Sequence, residues 1–440
     1  MFQSPVMSAD TVPTSIDLSQ LGEPVYNGSV QRLFAAPGHP GFMVCETTPA
    51  GSVFDVGSIF DIKDNDLNRA VFRHALYSQL GKAATWQTVK QRIEADTSID
   101  PAWKAELLKG PLETMVASGG MSHHVGMIDS KTGAVVTEGM PENPSCYNVV
   151  RRFPVMKPPQ RPFIGGHVFD YEQFYQSSTY VVPLEYIVRF GITGGSSILR
   201  KHAALNDSAK RAYEQELGLT QPMEAWQMLS HPIYDLTSKY EPEDRNVSRQ
   251  EALLMSGLAT QGFLDTVKMA LLGGWVIRSI LDDIGLTLWD MKWEFAVDGD
   301  DCFFVDTVDT DSFRATSTLD YEDRKLILHY NKQAMRDYYK IVHAAWYAGV
   351  NEAKNEAAKQ GRPFTGILRE GQASGRWLNT PVVDAEFLDL QAEKTLLIRE
   401  HMLGQRTDAR EKLQACGFNE IAFYAKRGLV TQYAALNALA

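Results

Sequence analysis

The sequence predicts an α+β protein of two lobes whose sheets are antiparallel. From residue 25 to residue 57, short apolar runs alternate with glycine and proline turns, a pattern typical of successive hairpins. Strand-like runs at 286–297 and 302–308 flank Asp298-Gly299-Asp300, which is a strong signal for a further hairpin. A chain of 440 residues, of which 44% are hydrophobic, is also long enough to bury the core of two lobes.

The pattern divides the chain into three predicted segments. These are a flexible leader at 1–21, an N-terminal β-rich lobe at 22–180 and a C-terminal α+β lobe at 181–440. The leader lacks a basic start and an apolar block, so it does not resemble a signal peptide. The spacing of apolar residues predicts helices at 66–80, 86–108, 249–284, 321–347 and 385–403.

Composition narrows the class of function. The formal net charge of -11 and the lack of a long basic stripe argue against a protein that coats nucleic acid. The longest apolar stretch, 263–281, is interrupted by Asp265, Lys268 and Arg278, so it is expected to be a packed helix and not a membrane span. The four cysteines form no metal-like or redox-like pair and are expected to be free thiols. We therefore predict a cytoplasmic protein that acts on small molecules.

A strand followed by a glycine turn combines charge with small residues. Leu184, Tyr186 and Val188 alternate as in a half-buried strand, which places Glu185 and Arg189 on the opposite face. The turn at 193–197, Thr-Gly-Gly-Ser-Ser, lets backbone N–H groups approach an anion, and Arg189 can grip a carboxylate or phosphate through two hydrogen bonds. The alternative is a surface strand with a solvated ion pair.

A second strand places charged residues in a row. Period-two alternation puts Asp290, Lys292 and Glu294 on one face, and the hairpin brings Asp306 close to Glu294. Two carboxylates there could hold Mg²⁺ bridged to nucleotide phosphates. The alternative is a solvated sheet face with cross-strand ion pairs.

An ordered series of motifs resembles the SAICAR synthetase (phosphoribosylaminoimidazole-succinocarboxamide synthase) family. The motifs cover roughly two thirds of the chain, and their order is what makes the resemblance specific. Ser122-His123 stands where the family tends to have Thr-His, and His123 is interpreted as a structural histidine. The other matching segments are Gly-Ser-Val-Gln-Arg-Leu-Phe at 28–34, Ser-Val-Phe-Asp at 52–55, 183–196, Thr-Ser-Lys at 237–239, 243–248, Asp-Met-Lys-Trp-Glu-Phe at 290–295, 306–314 and Lys-Gln-Ala-Met-Arg-Asp at 332–337.

The resemblance implies an ATP-dependent ligase of purine biosynthesis with ATP in a cleft between two lobes. In this family the carboxylate of carboxyaminoimidazole ribotide (CAIR) is activated as an acyl phosphate and coupled to aspartate. A carboxylate is a poor acyl donor, so its activation by ATP agrees with the chemistry. Mg²⁺ and basic groups would neutralise the charge that collects at such a site.

The resemblance also assigns residues by position. It implies catalytic roles for Lys292, Arg189 and Asp244. It implies nucleotide binding by Gly28, Gln31, Arg32, Lys239, Glu294 and Asp306, with Mg²⁺ on Glu294 and Asp306. It implies substrate binding by Arg189, Ser196, Asp244, Arg314, Lys332 and Arg336. For each of these residues the alternative is an ordinary surface charge.

The chain departs from the family pattern at several places. Ser29 and Gln31 stand where the family has basic residues, Phe190 replaces an asparagine and Thr307 replaces a glutamate. Extra material lies at 82–108, 129–180 and 351–377. The alternatives to the housekeeping reaction are therefore a diverged relative that uses another ribotide or amine, and a homologue that binds nucleotide without turnover. Self-association is plausible for the family, but we identify no self-complementary patch.

Overall fold

The structure is a computed structural model that describes residues 11–242 and 244–439. Its helices and antiparallel sheets confirm the α+β class. Within the part of the chain described, no helix is long and apolar enough to cross a membrane.

The N-terminal lobe is built on a six-stranded sheet, with four helices following its first hairpins. Its sheet strands are β1 (Tyr26–Asn27), β2 (Gln31–Ala35), β3 (Phe42–Thr47), β6 (His124–Ile128), β7 (Val135–Val136) and β8 (Tyr147–Arg151). Their order in the sheet is β1-β2-β3-β8-β6-β7. A small separate hairpin consists of β4 (Ala50–Ser52) and β5 (Ser58–Asp61). The helices are α1 (Asn65–Leu80), α2 (Ala83–Ala95), α3 (Pro101–Leu107) and α4 (Pro111–Ser118).

The second lobe contains a nine-stranded sheet, a separate hairpin and eleven helices among the described residues. Its strands are β9 (Gln160–Phe163), β10 (Gly166–Phe169), β11 (Thr179–Val181), β12 (Leu184–Ile192), β13 (Gln227–Ser238), β14 (Asn246–Val247), β15 (Thr287–Asp298), β16 (Asp301–Val305), β17 (Phe313–Tyr321), β18 (Arg324–His329) and β19 (Ala438–Leu439). Its helices are α5 (Glu172–Tyr175), α6 (Ser197–Ala203), α7 (Asp207–Leu217), α8 (Arg249–Ser256), α9 (Thr260–Asp283), α10 (Lys332–Val342), α11 (Ala344–Gln360), α12 (Phe364–Ala373), α13 (Ala385–Met402), α14 (Ala409–Ala425) and α15 (Val430–Asn437).

The long strand β15 is the centre of the second sheet. Its first half pairs with β12 on one side and with β17 on the other, and its second half pairs with β11 and β16. The hairpin between β15 and β16 turns at Gly299, whose φ of +64° is the left-handed conformation that glycine adopts readily. The predicted Asp298-Gly299-Asp300 hairpin is therefore confirmed.

Helix α9 lies directly against this sheet. A Cβ atom built on Gly273 would be 2.9 Å from the Trp293 ring, and one on Gly274 would be 3.0 Å from Val188. Because both glycines lack that atom, the helix backbone approaches β12 and β15 closely. This contact holds the strands that carry the charged residues of the cleft against a rigid layer.

The hydrophobic core does not divide at the predicted boundary. Apolar residues of α1, α2 and α4 belong to the same buried cluster as those of β12, α9 and β15, while a smaller cluster lies on the N-terminal sheet. Strand β11 crosses the 180/181 boundary and pairs with β15. The two lobes therefore share one main core, and the second sheet begins before residue 181.

Three local predictions differ from the structure. Residues 1–10 of the predicted leader lie outside the described residues, but Ile16 is buried and Ser15 pairs with Ala134, so this part is packed on the first sheet. The predicted helix at 249–284 is two helices, because Gly257 adopts φ +73° and ends α8. Residues 321–329 are strand and turn, not helix, because β18 pairs with β17 and cross-strand packing outweighs helix propensity.

The remaining predictions for regular structure agree with the chain as described. Helix 66–80 corresponds to α1 and helix 385–403 to α13. The predicted helical region 86–108 contains α2 and α3. All four cysteines are free thiols, as expected.

Two glycines of α9 provide a test of the close approach. We expect Gly273→Ala to lower the free energy of unfolding by about 1–2 kcal/mol, since overpacking against Trp293 outweighs the gain in helix propensity. We expect Gly262→Ala, where the nearest atom is 3.9 Å away, to be neutral or stabilising by about 0.5 kcal/mol. Urea unfolding of both variants checks this pair. Equal effects of the two substitutions would contradict the packing described for α9.

Candidate functional site

A cleft of about 500 Å³ opens between the two lobes. The N-terminal lobe contributes Ser29, Val30 and the turn at 52–55. From the second lobe, six of the site residues that the resemblance assigns line the cleft; they are Arg189, Lys292, Asp306, Arg314, Lys332 and Arg336. Six separate motif segments therefore meet at one cavity.

A cluster of lysines and carboxylates forms one wall of the cleft. The Nζ atom of Lys292 lies 2.8 Å from Glu185 Oε1, 2.5 Å from Glu294 Oε1 and 3.2 Å from Asp306 Oδ2. Lys239, just after β13, also bonds to Glu294 and lies 3.4 Å from Glu185. The two lysines thus bridge three carboxylates, and the charges are not separately solvated.

Strand register explains why these side chains meet. Lys292 and Glu294 are two residues apart on β15 and share a face, as predicted. Glu294 pairs with Val305, so Asp306 follows directly on the neighbouring strand. Glu185 on β12 comes one residue before Tyr186, which pairs with Trp293. The predicted proximity of Glu294 and Asp306 is confirmed.

The two adjacent carboxyl groups have opposite pKa shifts. Burial raises the pKa of Glu294 to about 7, and the charge of Asp306 adds to that increase. Burial alone would raise the pKa of Asp306, but Lys292 and Lys239 outweigh it and the pKa is lowered. Below a pH of about 7, Glu294 is therefore the protonated member of this hydrogen-bonded pair and donates to Asp306, and above that pH both groups are carboxylates. For Lys292, burial opposes the charge, yet Glu294 and Asp306 raise its pKa well above the usual value.

The donor set of this pair fits a magnesium ion in kind. Mg²⁺ in proteins is commonly bound by one or two carboxylates together with substrate phosphates. Glu294 and Asp306 supply two such carboxylates. The ammonium group of Lys292 contacts both of them and offsets part of their negative charge. The part of the chain that the structure describes contains no group of three or more His, Cys, Asp or Glu residues suited to hold a metal without further ligands.

The turn at 52–55 is held against the second lobe. The ring of Phe54 packs on Tyr347 with centroids 4.8 Å apart, and Tyr339 and Trp346 also contact it. Asp55 Oδ2 lies 2.6 Å from Lys354 Nζ on α11. The upper wall of the cleft is therefore fixed by helices α10 and α11.

Arg189 lies among acidic residues and not free in the cleft. Its guanidinium donates to Asp235 through Nε at 2.6 Å and Nη2 at 3.1 Å, and to Asp290 through Nη1 at 3.0 Å. Burial would lower the pKa of Arg189, but Asp235 and Asp290 raise it. Nη2 also donates to Ser197 at 3.2 Å. Arg189 is thus buried with Asp235 and Asp290, and Glu185 pairs with lysines instead. The alternative of a surface strand with a solvated ion pair is therefore wrong.

Arg314 is joined to the same acidic group. Its Nη1 atom lies 3.4 Å from Asp290 Oδ2 and donates to Thr193 Oγ1 at 2.6 Å. Because Arg189 and Arg314 share Asp290, Arg189 fixes the carboxylate that orients Arg314 toward the cleft. Arg189 is thus bonded to two carboxylates, whereas Arg314 contacts only the one that they share.

Two cations on α10 have no acidic partner of their own. Among the described residues, Lys332 and Arg336 form no ion pair, and Arg336 only approaches Gln333 Oε1 at 3.5 Å. Burial lowers the pKa of Lys332, Asp311 opposes this, and Arg336 adds to the decrease. Burial also lowers the pKa of Arg336, and Arg314 adds to it. An anionic ligand would relieve this excess of positive charge.

Other predicted residues lie outside the cleft lining. Arg32 pairs with Glu46 at 2.6 Å, so it is neutralised within the N-terminal sheet. Gln31 accepts a weak bond from Cys45, and Gly28 closes the turn before β2. Ser196 is fully buried at the start of α6. Their predicted binding roles remain predictions.

The segment after β13 is described only in part. Asp244 is exposed as a whole residue, but its carboxyl group is partly desolvated, and this desolvation, followed by the charge of Glu185, raises its pKa. Glu243 of the same motif lies outside the described residues. Asp244 is thus at the rim of the lysine and carboxylate cluster, and its predicted role stays a prediction.

Several charged residues near the cleft were missed as site residues. Glu185 bonds both lysines, and Asp235 neutralises Arg189. Arg69 and Arg73, one turn apart on α1, both pair with buried Asp309. Two arginines at i and i+4 on the buried side of a helix indicate a buried acid, but the acid itself lies more than 230 positions later in the chain.

The relation to known proteins is consistent with this geometry. Residues 153–353 match the family model described as SAICAR synthetase. A "putative phosphoribosylaminoimidazole-succinocarboxamide synthase" of Archaeoglobus fulgidus is 29% identical over 266 residues, which is 59% of this chain and 73% of that protein. Residues 153–353 of this chain are therefore similar to SAICAR synthetases. The resemblance predicted from the motif series is confirmed.

Further matches to SAICAR synthetases cover different shares of the chain. The phosphoribosylaminoimidazole-succinocarboxamide synthase of Thermoplasma volcanium is 28% identical over 170 residues, 38% of this chain and 54% of that protein. The SAICAR synthase of Saccharomyces cerevisiae complexed with SAICAR is a structural neighbour with a TM-score of 0.43 and 17% identity, covering 89% of this chain and 98% of the neighbour. The chain thus spans about half the length of the Thermoplasma relative.

The pKa of Glu294 gives a test through stability. The pKa is about 7 in the folded protein and 4.5 as the reference value, so the folded state takes up a proton that the unfolded chain does not as pH falls from 8 to 5.5. We expect the wild type to gain stability relative to Glu294→Gln over this range, by about 2 kcal/mol. Urea unfolding at both pH values measures the difference. A difference independent of pH would contradict the raised pKa.

The loss of charge at Arg189 and at Lys332 is expected to affect stability to very different extents. Arg189→Met leaves Asp235 and Asp290 buried without a partner and should lower the free energy of unfolding by about 3–5 kcal/mol. Lys332→Met removes an unpaired cation and should change it by less than about 1 kcal/mol. Denaturant titration at pH 7 checks both variants. A large loss for Lys332→Met would argue against a free anion-binding cation.

Proposed function

We propose that the chain is an ATP-dependent carbon–nitrogen ligase of the SAICAR synthetase type, with CAIR and aspartate as its substrates in purine biosynthesis. The observation that carries this proposal is the convergence of Lys292, Asp306, Arg314, Lys332 and Arg336 on one cleft. The family relation supports the same activity. Site chemistry and ancestry therefore point to one reaction class.

In the proposed reaction, a carboxylate oxygen of the ribotide attacks the γ-phosphorus of ATP, and the bond to ADP breaks. The amine of aspartate then attacks the acyl carbon of the acyl phosphate, and phosphate leaves as the C–N bond forms. Both steps bring several negative charges together in one cleft. Cationic side chains that already face the negatively charged groups lower the repulsion between them, and the protein need not rearrange to do so.

The cleft residues would divide this work by position. Arg314, Lys332 and Arg336 would bind the anionic groups of the ribotide, since they are the cations with spare hydrogen-bonding capacity. Lys292 would neutralise charge at the reacting carboxylate. Glu294 and Asp306 would hold Mg²⁺, which when bound neutralises nucleotide phosphates. Exposed Asp244 at the rim would attract the ammonium group of the amino acid.

Arg189 would act on substrate through Arg314. Its donors are directed at Asp235, Asp290 and Ser197, so direct binding of a phosphate would require those bonds to break. We propose that Arg189 keeps Asp290 and Arg314 in place. The cytoplasmic location and any self-association remain predictions.

A diverged substrate is the second candidate. Ser29 and Val30 line the cleft without charge, and Arg32 is engaged by Glu46, so the nucleotide hairpin lacks free basic side chains. This observation favours a relative whose ribotide or amine differs from CAIR or aspartate. A protein that binds nucleotide without turnover is a third outcome of the same test.

The decisive measurement is ADP release by the full chain with ATP, Mg²⁺ and CAIR, with and without aspartate. We expect aspartate-dependent release, reduced at least about 100-fold by Lys292→Met. We expect Lys332→Met to raise KM for the ribotide about 10-fold or more, because a charge-assisted contact is lost. Exposed Lys359 on α11 supplies the matched control, since Lys359→Met should leave both constants unchanged.

Three results separate the candidates. Release that needs CAIR but accepts another amine in place of aspartate would establish a diverged relative. No release with any ribotide and amine pair, while ATP binding persists, would support the non-catalytic homologue. Loss of activity in Lys359→Met equal to that in Lys332→Met would contradict the proposed role of the α10 cations.

A further inference from the structure

Asp306 has an unusual backbone for a residue other than glycine. Its φ is +67°, in the left-handed region that L-residues rarely adopt. Such a conformation persists where its surroundings hold it, and it is frequent at functional sites. Asp306 directly follows β16, so the left-handed conformation occurs where the strand ends. In this conformation the carboxylate of Asp306 lies 3.2 Å from Lys292 Nζ.

Two side chains from the N-terminal part of the chain hold this peptide. The hydroxyl of Tyr77, on α1, donates to the carbonyl oxygen of Asp306 at 2.7 Å and approaches that of Val305 at 3.1 Å. Nε2 of His123 lies 3.1 Å from the Asp306 carbonyl oxygen. Because a carbonyl only accepts, the His123 tautomer has its proton on Nε2. One carbonyl thus receives two donors from separate elements.

These two donors are themselves fixed by packing. Tyr77 is 2% exposed, and its ring stacks on His124 with centroids 5.4 Å apart and an interplanar angle of 10°. His123 meets the same ring edge-on at 5.5 Å. His74 lies 2.8 Å from His124 Nε2 and 2.7 Å from the carbonyl oxygen of Gly139. The packing of these histidines around the Tyr77 ring restricts the position of its hydroxyl group.

We propose that Tyr77 and His123 are positioning residues that hold the Asp306 peptide so that its carboxylate faces the cleft as a ligand for a divalent cation. They touch neither substrate nor cation, and they act through the carbonyl of Asp306. The inference rests on the proposed function only in the choice of cation. It assigns a task to His123 of the Ser122-His123 motif and to Tyr77, which no motif pointed to.

The experiment titrates MgCl₂ into the full chain saturated with ADP and measures heat, so that binding is read without turnover. We expect Tyr77→Phe to weaken Mg²⁺ binding about 10-fold, the lower end for loss of a group that orients a metal ligand. Tyr433→Phe is the matched control. Tyr433 is 1% exposed, its hydroxyl donates to the Ile327 carbonyl at 2.7 Å, and neither residue lines the cleft.

Histidine variants test the second donor. His123→Gln keeps an N–H group near the position of Nε2 and should retain most of the Mg²⁺ affinity, whereas His123→Ala should lower it by several-fold. Thermal unfolding is recorded for every variant, so that a general loss of stability is separated from a loss of Mg²⁺ affinity. Should a variant fail to fold, the remaining single variants carry the comparison.

Two outcomes would overturn the inference. One is equal Mg²⁺ affinity in wild type, Tyr77→Phe and Tyr433→Phe, and the other is no measurable Mg²⁺ binding by the wild type with ADP present. If the protein binds Mg²⁺ but releases no ADP, that result would instead overturn only the proposed reaction. The positioning role and the reaction can therefore fail separately.

Discussion

The pairing of β15 on both edges is the constraint on which the rest of the structure depends. Strands β12 and β17 flank its first half, and β11 and β16 flank its second half. A strand held along both edges cannot slip in register without turning its side chains to the other face. Lys292 and Glu294 are thereby fixed relative to Glu185 on β12 and to Asp306 beyond β16.

The charges around the cleft follow two different rules. Arg189 is buried with its acids in place, which is how a buried guanidinium is tolerated. Lys332 and Arg336 are partly buried without such acids, and their lowered pKa values report the cost. The first group therefore supports the site, while the second is left to meet an incoming anion. Charge alone, read from sequence, does not separate these two cases.

Prediction from sequence succeeded where the signal was local. Period-two alternation identified β15 and its charged face, and the hairpin turn at 298–300 placed Asp306 beside Glu294. It failed where the outcome depended on distant pairing. Asp235 reaches Arg189 only through the register of β12 with β13, and Tyr77 reaches Asp306 across 229 positions. No local pattern encodes either contact.

The local errors had similar causes. The run that became β18 has residues that favour helix, but its pairing with β17 decided the outcome. Ile16 lies in a segment without strong periodicity, yet it is buried on the first sheet. In both cases tertiary contacts outweighed the preference of the segment itself.

The ion pair between Asp55 and Lys354 changes how the extra material at 351–377 is understood. This material extends α11 and forms α12, and Lys354 within it holds Asp55 of the turn that lines the cleft. Trp377 packs against Gly349 and Gly371, tying the two helices together. The segment that looks in the sequence like an insertion therefore packs behind the wall of the cleft and contacts it through Lys354. Changes in this extra material would therefore alter the wall of the cleft at Asp55.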